Sequence, residues 1–169
     1  MAEEIQIPIV LYPQRTNNAN ASWDQLTQAT NAFQTAGWRM KDAEIAEVNG
    51  ILARPIPSSI NGTPAGKIRL WWITASATGN DVEWHVYLSD VTVDTDTCDP
   101  AAWDDSLTVV DTNNGAYELN QCDVSISTAS LTSGKQVIVN IKRDASAGNG
   151  DDTLAADVLL VAAVFIADE

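Results

Sequence analysis

Positive charge is scarce in this 169-residue chain, and the middle of the chain has none. Lys and Arg number 9 against 23 Asp and Glu, which leaves a formal net charge of −14. No Lys or Arg lies between Leu70 and Gly134, a stretch that carries eleven acids. Such a surface repels phosphate backbones and anionic lipid, because binding either one requires cationic side chains. We therefore expect no nucleic acid and no membrane as partners, and the acidity serves either solubility or a cationic partner.

Long apolar runs, a basic N-terminus and catalytic motifs are also lacking. The apolar run at residues 158–167 is about half as long as a membrane helix. The chain starts Met-Ala-Glu-Glu, acidic where a secretory signal is basic, so we expect no export by that route. No G-x-S-x-G, Walker or H-E-x-x-H pattern occurs, and the single histidine, His85, is expected to be a surface imidazole. We expect no catalytic residue, no cofactor and no enzymatic activity.

The two cysteines and the acidic loop around one of them leave two questions open. Cys98 and Cys122 allow one disulfide, but without an export signal two free thiols are equally consistent with the sequence. Asp94, Asp96 and Asp99 place carboxylates around Cys98 in the spacing that calcium favours. The loop lacks the glycine at the sixth position of an EF-hand loop. A solvated loop without metal is therefore expected, and the three aspartates are the candidate ligands if calcium binds.

Strand patterns separated by turn residues make up most of the chain. Residues 82–88 and 135–142 alternate apolar and polar side chains, and residues 157–167 are apolar on both faces. On the first of these strands three side chains face outward: Glu83, His85 and Tyr87. Such strands predict an all-β antiparallel sandwich of the jelly-roll type. We divide the chain into an N-terminal arm and linker, residues 1–50, and the jelly-roll sandwich, residues 51–169.

The N-terminal region combines an extended segment with one short helix. Pro8 interrupts an apolar strand pattern, and its missing N–H restricts the segment to an edge strand or an extended arm. Further on, Trp23 and Leu26 begin a helical spacing over residues 22–33, with Ser22 suited as the N-cap. We therefore expect an extended arm followed by a short helix.

Two further features bear on structure and binding. Arg143 is followed by several aspartates, among them Asp144, Asp151 and Asp152, and a bidentate pair with one of these would hold the last two strands in register. The chain also has six tryptophans, of which an exposed one would be able to stack on a sugar ring. We favour packing over sugar binding for most of them, with Trp103 as the candidate for sugar contact.

Four segments together resemble the jelly-roll domains of tailed-phage virion proteins. They are residues 67–72 (Lys-Ile-Arg-Leu-Trp-Trp), residues 81–86 (Asp-Val-Glu-Trp-His-Val), residues 134–144, and residues 151–161, in which Asp-Asp-Thr-Leu opens an apolar final strand. The resemblance covers roughly residues 50 to 169. The jelly roll that these segments indicate is similar to that seen in capsid decoration (cement) proteins and in the heads of some tail fibres.

The resemblance implies a non-enzymatic protein of the virion, assembled in the host cytoplasm. The first hypothesis is a decoration protein that clamps the major capsid protein lattice as a homotrimer. The arm would then supply the capsid contacts, through Ile5, Ile7, Ile9, Leu11 and Tyr12. The alternative is a tail-fibre, baseplate or receptor-binding jelly roll that binds host-surface carbohydrate. A free carbohydrate-binding module and a hydrolase are the remaining alternatives.

Overall fold

The computed structural model describes residues 4–13, 19–28, 33–57, 66–94, 103–126 and 131–168. Every regular element among them is a strand, and no described helix is long and apolar enough to cross a membrane. The strands are β1 (Glu4–Pro13), β2 (Ala19–Asn20), β3 (Ser22–Gln28), β4 (Phe33–Met40), β5 (Ile45–Leu52), β6 (Gly66–Thr74), β7 (Asp81–Val91), β8 (Asp105–Thr112), β9 (Asn120–Ile126), β10 (Gln136–Asp144) and β11 (Val158–Asp168). The predicted all-β class is confirmed.

The strands form two sheets that face each other. In the first sheet β9, β6 and β11 are neighbours, and the other side of β11 carries β4 at one end and the start of β1 at the other. β3 extends this sheet beyond β4. The second sheet runs from the end of β1 through β5, β10 and β7 to β8. All these pairs are antiparallel, and among the described strands only the short β2 pairs parallel, with β5. The predicted antiparallel sandwich of jelly-roll type is confirmed.

β1 belongs to both sheets, which corrects the expectation of a projecting arm. Residues 4–8 pair with β11 in the first sheet, and residues 9–13 pair with β5 in the second. Pro8 lies at the change of sheet, where its carbonyl accepts a hydrogen bond from Ala53 N at 2.8 Å. Its missing N–H is tolerated because the strand leaves one ladder there and enters the next. The segment is extended as predicted, but it is built into the sandwich.

The predicted helix over residues 22–33 is wrong for the part that the structure describes. Residues 22–28 form β3, which pairs with β4 and sets Trp23 opposite Trp38. Gly37 lies within β4, where a Cβ would come within 2.6 Å of the Leu160 carbonyl oxygen. The segment is rich in Thr and Gln and has little apolar surface for a helix, so cross-strand pairing prevails over the helical spacing. Residues 29–32 lie outside the described part.

The predicted domain boundary between residues 50 and 51 falls inside β5. β5 pairs with β1 on one side and with β10 on the other, so strands from both parts share the second sheet. Gly50 lies close to β1, since a Cβ on it would approach Ile9 Cγ2 at 2.6 Å and Leu11 Cδ2 at 3.0 Å. The described strands on the two sides of the boundary are thus one packed unit.

The core lies between the sheets and follows the predicted alternation. The inward side chains of β7 are fully buried: Val82, Trp84, Val86 and Leu88. On β6, Trp72 points inward with no exposed surface, while Trp71 points outward and donates from Nε1 to Gln121 Oε1 at 3.1 Å. The two adjacent tryptophans therefore lie on opposite faces of β6, as the period of two in a strand requires.

Arg143 on β10 is completely buried and forms the predicted bidentate pair, with Asp152. Its Nε and Nη2 donate to the two carboxylate oxygens of Asp152, each at 2.8 Å. Nη1 and Nη2 also donate to the carbonyls of Ala156 and Leu154, each at 2.7 Å. A weaker bond of 3.4 Å reaches the Met40 carbonyl at the end of β4. One side chain therefore ties β10 to the connection that leads into β11 and to the edge of the first sheet.

Replacing Asp152 should destabilise the fold strongly. We expect Asp152→Asn to lower the free energy of unfolding by about 3–5 kcal/mol, because it leaves a buried guanidinium without its carboxylate. Urea denaturation followed by tryptophan fluorescence measures the loss. Asp151→Asn is the matched control, since Asp151 is exposed and should be neutral. Equal stability of the two variants would contradict the assignment.

A second ion pair joins β9 to β6 on the outer face of the first sheet. Arg69 Nε and Nη2 donate to Asp123 Oδ1 and Oδ2 at 2.7 and 2.9 Å, and Lys67 Nζ lies 2.8 Å from Oδ2. These contacts, the hydrogen bond from Arg69 first, lower the pKa of Asp123 from 3.8 to about 2.

Because the pKa of Asp123 is lowered in the folded state, its contribution to the free energy of unfolding depends on pH. The ionised Asp123 stabilises the folded state above its unfolded pKa of 3.8, and this is lost as the pH falls towards 2. We expect Asp123→Asn to be less stable than wild type at neutral pH by about 1 kcal/mol or less. The difference should close as the solution is acidified, as urea denaturation at a series of pH values would show. A difference that stays constant down to about pH 2 would contradict the pairing.

Candidate functional site

A row of five side chains crosses the outer face of the second sheet. Each lies on a different strand and directly opposite its neighbour, in the order Ser106, Tyr87, Asn140, Asn49 and Tyr12. Paired residues of an antiparallel ladder point to the same face, so the five form one continuous line, here called the cross-sheet row. Three strand spacings separate the two tyrosines, a distance of about 14 Å.

Aromatic rings gather at one end of the cross-sheet row. Tyr87 stacks on His85 with ring centroids 6.4 Å apart and an angle of 9° between the planes. Trp103 lies against the same tyrosine at 6.1 Å and 41°, and Lys142 Nζ is 5.9 Å from the tyrosine ring centre. All four side chains are half-buried, so part of each remains accessible to solvent. This aromatic cluster offers both ring surface and a cation to a ligand.

Hydrogen-bonding groups line the rest of the face. Asn140 is 4% exposed and donates from Nδ2 to Asn49 Oδ1 at 3.0 Å, which makes the amide pair a floor between the tyrosines. Thr108 Oγ1 and His85 Nδ1 are 3.2 Å apart. His85 Nε2 lies 3.0 Å from Glu83 Oε2 but makes no hydrogen bond among the described residues. The predicted outward direction of Glu83, His85 and Tyr87 is confirmed, although Glu83 is itself buried.

Two cavities lie at the first sheet, away from the cross-sheet row. One of about 350 Å³ is lined by charged side chains that include Asp24, Arg39 and Asp157. The other, of about 300 Å³, is apolar and lies between β1 and the pair of Trp23 and Trp38. Trp23 is 60% exposed and meets Trp38 edge to face at 5.5 Å. Its exposure makes Trp23 a useful comparison for Trp103.

The residues predicted to contact a capsid or another partner are mostly packed inside the sandwich. Ile7 and Ile9 are 0% and 7% exposed and belong to the core. Ile5 and Leu11 are partly buried against the same core. Tyr12 is 40% exposed and ends the cross-sheet row. Ile7 and Ile9 supply core volume and present no surface to a partner, which corrects the expectation for these two residues. Partner contact through Ile5, Leu11 and Tyr12 stays a prediction.

The predicted calcium and cysteine residues fall partly outside the described chain. Asp94 lies at a positive φ of 68° and is exposed, whereas Asp96 and Asp99 are outside the described residues. Among the residues that are described, no group of three His, Cys, Asp or Glu side chains is placed to hold a metal ion. Cys122 is buried, and burial raises the pKa of its thiol. Cys98 lies outside the described residues, so a disulfide and two free thiols both stand as alternatives.

Sequence reasoning missed the amide pair in the middle of the cross-sheet row. Asn49 precedes Gly50, and an Asn-Gly pair is a strong signal for a tight turn. Instead Asn49 and Gly50 lie within β5, where the missing Cβ of Gly50 makes room for the side chain of Ile9. Asn140 was placed on an outward face by the alternation of residues 135–142. Only the pairing of β5 with β10 brings the two amides together.

No protein-family model and no curated protein matches this chain. The solved structures that resemble it include an arabinose-bound α-L-arabinofuranosidase, MgGH51, at 9% identity and a TM-score of 0.50. That match covers 94% of this chain and 24% of the arabinofuranosidase. An exo-β-1,3-galactanase from Phanerochaete chrysosporium with galactose matches at 15% identity and a TM-score of 0.40, over 94% of this chain and 29% of that one.

TmCBM61 in complex with β-1,4-galactotriose matches at 12% identity and a TM-score of 0.38, over 95% of this chain and 84% of that one. This chain therefore spans about a quarter of the length of the two enzymes. At such low identity the likeness to the arabinofuranosidase concerns the fold alone: a β-sandwich.

Proposed function

We propose that this chain is a non-enzymatic carbohydrate-binding jelly roll whose ligand lies along the cross-sheet row. The observation that carries the proposal is the row itself, in which the amide pair of Asn140 and Asn49 lies between Tyr87 and Tyr12. Sugar rings have an apolar C–H face that packs on aromatic rings, and hydroxyl groups that exchange hydrogen bonds with amides. The row offers both kinds of group along a length of about 14 Å.

The charge of the chain favours a neutral glycan. A net charge of −14 repels phosphorylated and sulfated polymers, and it does not oppose an uncharged sugar. Lys142 beside Tyr87 is balanced by Glu83 and Asp144 nearby on the same face, so the site as a whole is not cationic. Neutral oligosaccharides of a host cell surface are therefore the ligand class that we propose.

The resemblance to tailed-phage virion proteins suggests where such a domain would work. We propose a tail-fibre, baseplate or receptor-binding jelly roll on the virion, which contacts host-surface carbohydrate. A capsid decoration protein that binds the major capsid protein as a homotrimer is the second candidate. We place it second because two of its expected contact residues, Ile7 and Ile9, are buried in the core.

Removing the aromatic cluster should abolish glycan binding. We expect Tyr87→Ala and Trp103→Ala each to weaken binding to host-surface polysaccharide about tenfold or more, because each removes ring surface that would cover a sugar. Calorimetric titration of purified polysaccharide measures the change. Trp23→Ala is the matched control, since Trp23 is exposed but lies on the first sheet. Equal loss in all three variants, or loss in none, would contradict the proposal.

The solution mass separates the two virion hypotheses from a free module. We expect light scattering coupled to size exclusion to give a trimer, because three-fold capsid sites and fibre heads both require one. A monomer would favour a free carbohydrate-binding module. Deletion of the first 20 residues is not a clean test of capsid binding, since it would remove β1 from both sheets.

Hydrolysis is the enzymatic alternative, and the contacts of His85 with two neighbouring side chains are a reason to test it. Thr108, His85 and Glu83 touch in that order, which is also the order of nucleophile, base and orienting acid in hydrolytic triads. We propose that these contacts hold the ring of His85 for ligand packing. Assays on glycan and ester substrates should show no turnover above that of His85→Ala, and turnover that this substitution removes would overturn the non-enzymatic assignment.

A further inference from the structure

The charged cavity at the first sheet is separate from the cross-sheet row. It has a volume of about 350 Å³ and lies where β3, β4, β6 and β11 come together. Leu26 and Leu159 give it an apolar side, and Asp24, Arg39 and Asp157 give it a charged side. Its volume is at the lower end of the range for small-molecule sites.

Arg39 is the centre of the charged side. Its Nε donates to Asp157 Oδ2 at 2.7 Å, and its Nη2 lies 2.5 Å from the same oxygen. On the other side, Nη1 donates to Asp24 Oδ2 at 3.0 Å. Among the described residues these contacts occupy three of the five guanidinium N–H groups, so two remain for a ligand.

The carboxylates keep acceptor capacity as well. Each carboxylate oxygen has two lone pairs. Among the described residues the Asp157 carboxylate accepts from Arg39 and from the backbone N–H of Asp42, the latter at 2.8 Å to Oδ1. Burial alone would raise the pKa of Asp157, but the Asp42 N–H and the Arg39 guanidinium lower it, so the group is ionised at neutral pH. Asp24 and Asp157 are 40% and 35% exposed, so a ligand can reach both.

We infer that this cavity is a second binding site, and that it takes a small neutral polyol, such as a single sugar unit. Adjacent hydroxyl groups each donate one hydrogen bond and accept others, and they require donors and acceptors side by side. The guanidinium supplies the donors, and the flanking carboxylates supply the acceptors. Leu26 and Leu159 then cover the C–H surface of the ligand.

Charged ligands fit the cavity less well. An anion would be repelled by Asp24 and Asp157, which outnumber the single cation between them. An organic ammonium would have to approach Arg39, whose charge both carboxylates already compensate. This site does not depend on the proposed function, because it lies on the other sheet and uses none of the cross-sheet row.

Nuclear magnetic resonance of the whole ¹⁵N-labelled chain tests the inference directly. The probes are galactose, arabinose and myo-inositol, with choline as the cationic comparison. We expect at least one of the three polyols to shift the Arg39 Nε–H signal and the Asp42 backbone N–H. The dissociation constant should be on the order of 1–10 mM, as is usual for ligands with so few atoms. Choline should leave both signals in place.

Asp24→Asn is the decisive variant. It keeps the size of the side chain, and we expect it to weaken polyol binding about tenfold, since a charge-assisted hydrogen bond is lost. Asp123→Asn is the matched control: it breaks an Arg–Asp pair on the same sheet, yet neither Arg69 nor Asp123 lines the cavity. This control should bind like wild type. If Asp24→Asn proves poorly folded, Arg39→Lys serves instead, with binding followed on the Asp42 backbone N–H, because it keeps the charge and loses the planar fork.

Several outcomes would overturn the inference. No shift with any polyol would do so, as would equal weakening in Asp24→Asn and Asp123→Asn, or a shift with choline alone.

The variant Tyr87→Ala distinguishes this inference from the proposed function. If that variant binds polysaccharide normally while the Arg39 signal still responds to a polyol, the proposed function fails and the second site stands. If Tyr87→Ala abolishes the Arg39 response, the cavity is not an independent site.

Discussion

The fold depends first on how the buried charge of Arg143 is compensated. A guanidinium without solvent contact is tolerated only when carboxylate and carbonyl oxygens surround it, and Asp152 with three backbone carbonyls does so. Asp152 Oδ2 also accepts from the backbone N–H of Glu83 at 3.2 Å, which extends the network to β7. The carbonyl of Ala156 is one of the acceptors, and the next residue is Asp157. The network thus extends from Glu83, which lies beside His85 of the aromatic cluster, to the residue that precedes Asp157 of the charged cavity.

The second constraint is the passage of β1 from one sheet to the other. A strand shared by both sheets closes one edge of the sandwich and leaves fewer backbone groups unpaired. It also brings Tyr12 to the outer face of the second sheet, opposite Asn49, and so completes the cross-sheet row. Pro8 is compatible with this passage because a proline cannot continue either ladder. Pro8, the residue that suggested an extended arm, therefore marks the point where β1 changes sheet, and the strand contributes to the core on both sides of it.

Much of the sandwich could be predicted, and the failures have physical causes. The alternation of residues 82–88 was readable because burial on one face of a strand imposes a period of two. β3 was missed because a short polar segment has no decisive periodicity, and its pairing with β4 decides its conformation. The bidentate partner of Arg143 was predictable only as a group of nearby aspartates. Asp152 is the partner because of the path of the chain after β10, which also brings the carbonyls of Leu154 and Ala156 to the Arg143 guanidinium.

The sequence by itself determined the strand content, the strongly negative net charge and the outward direction of Glu83, His85 and Tyr87. These properties are local, since each follows from the residue type or from its nearest neighbours along the chain. Only the tertiary structure decided which strands lie side by side, and hence that Tyr87, Asn140, Asn49 and Tyr12 form one line. It likewise decided that Arg39 meets Asp157, 118 residues away. Binding sites on a sheet are made by register between distant strands, and register is a property of the packed core that no single strand contains.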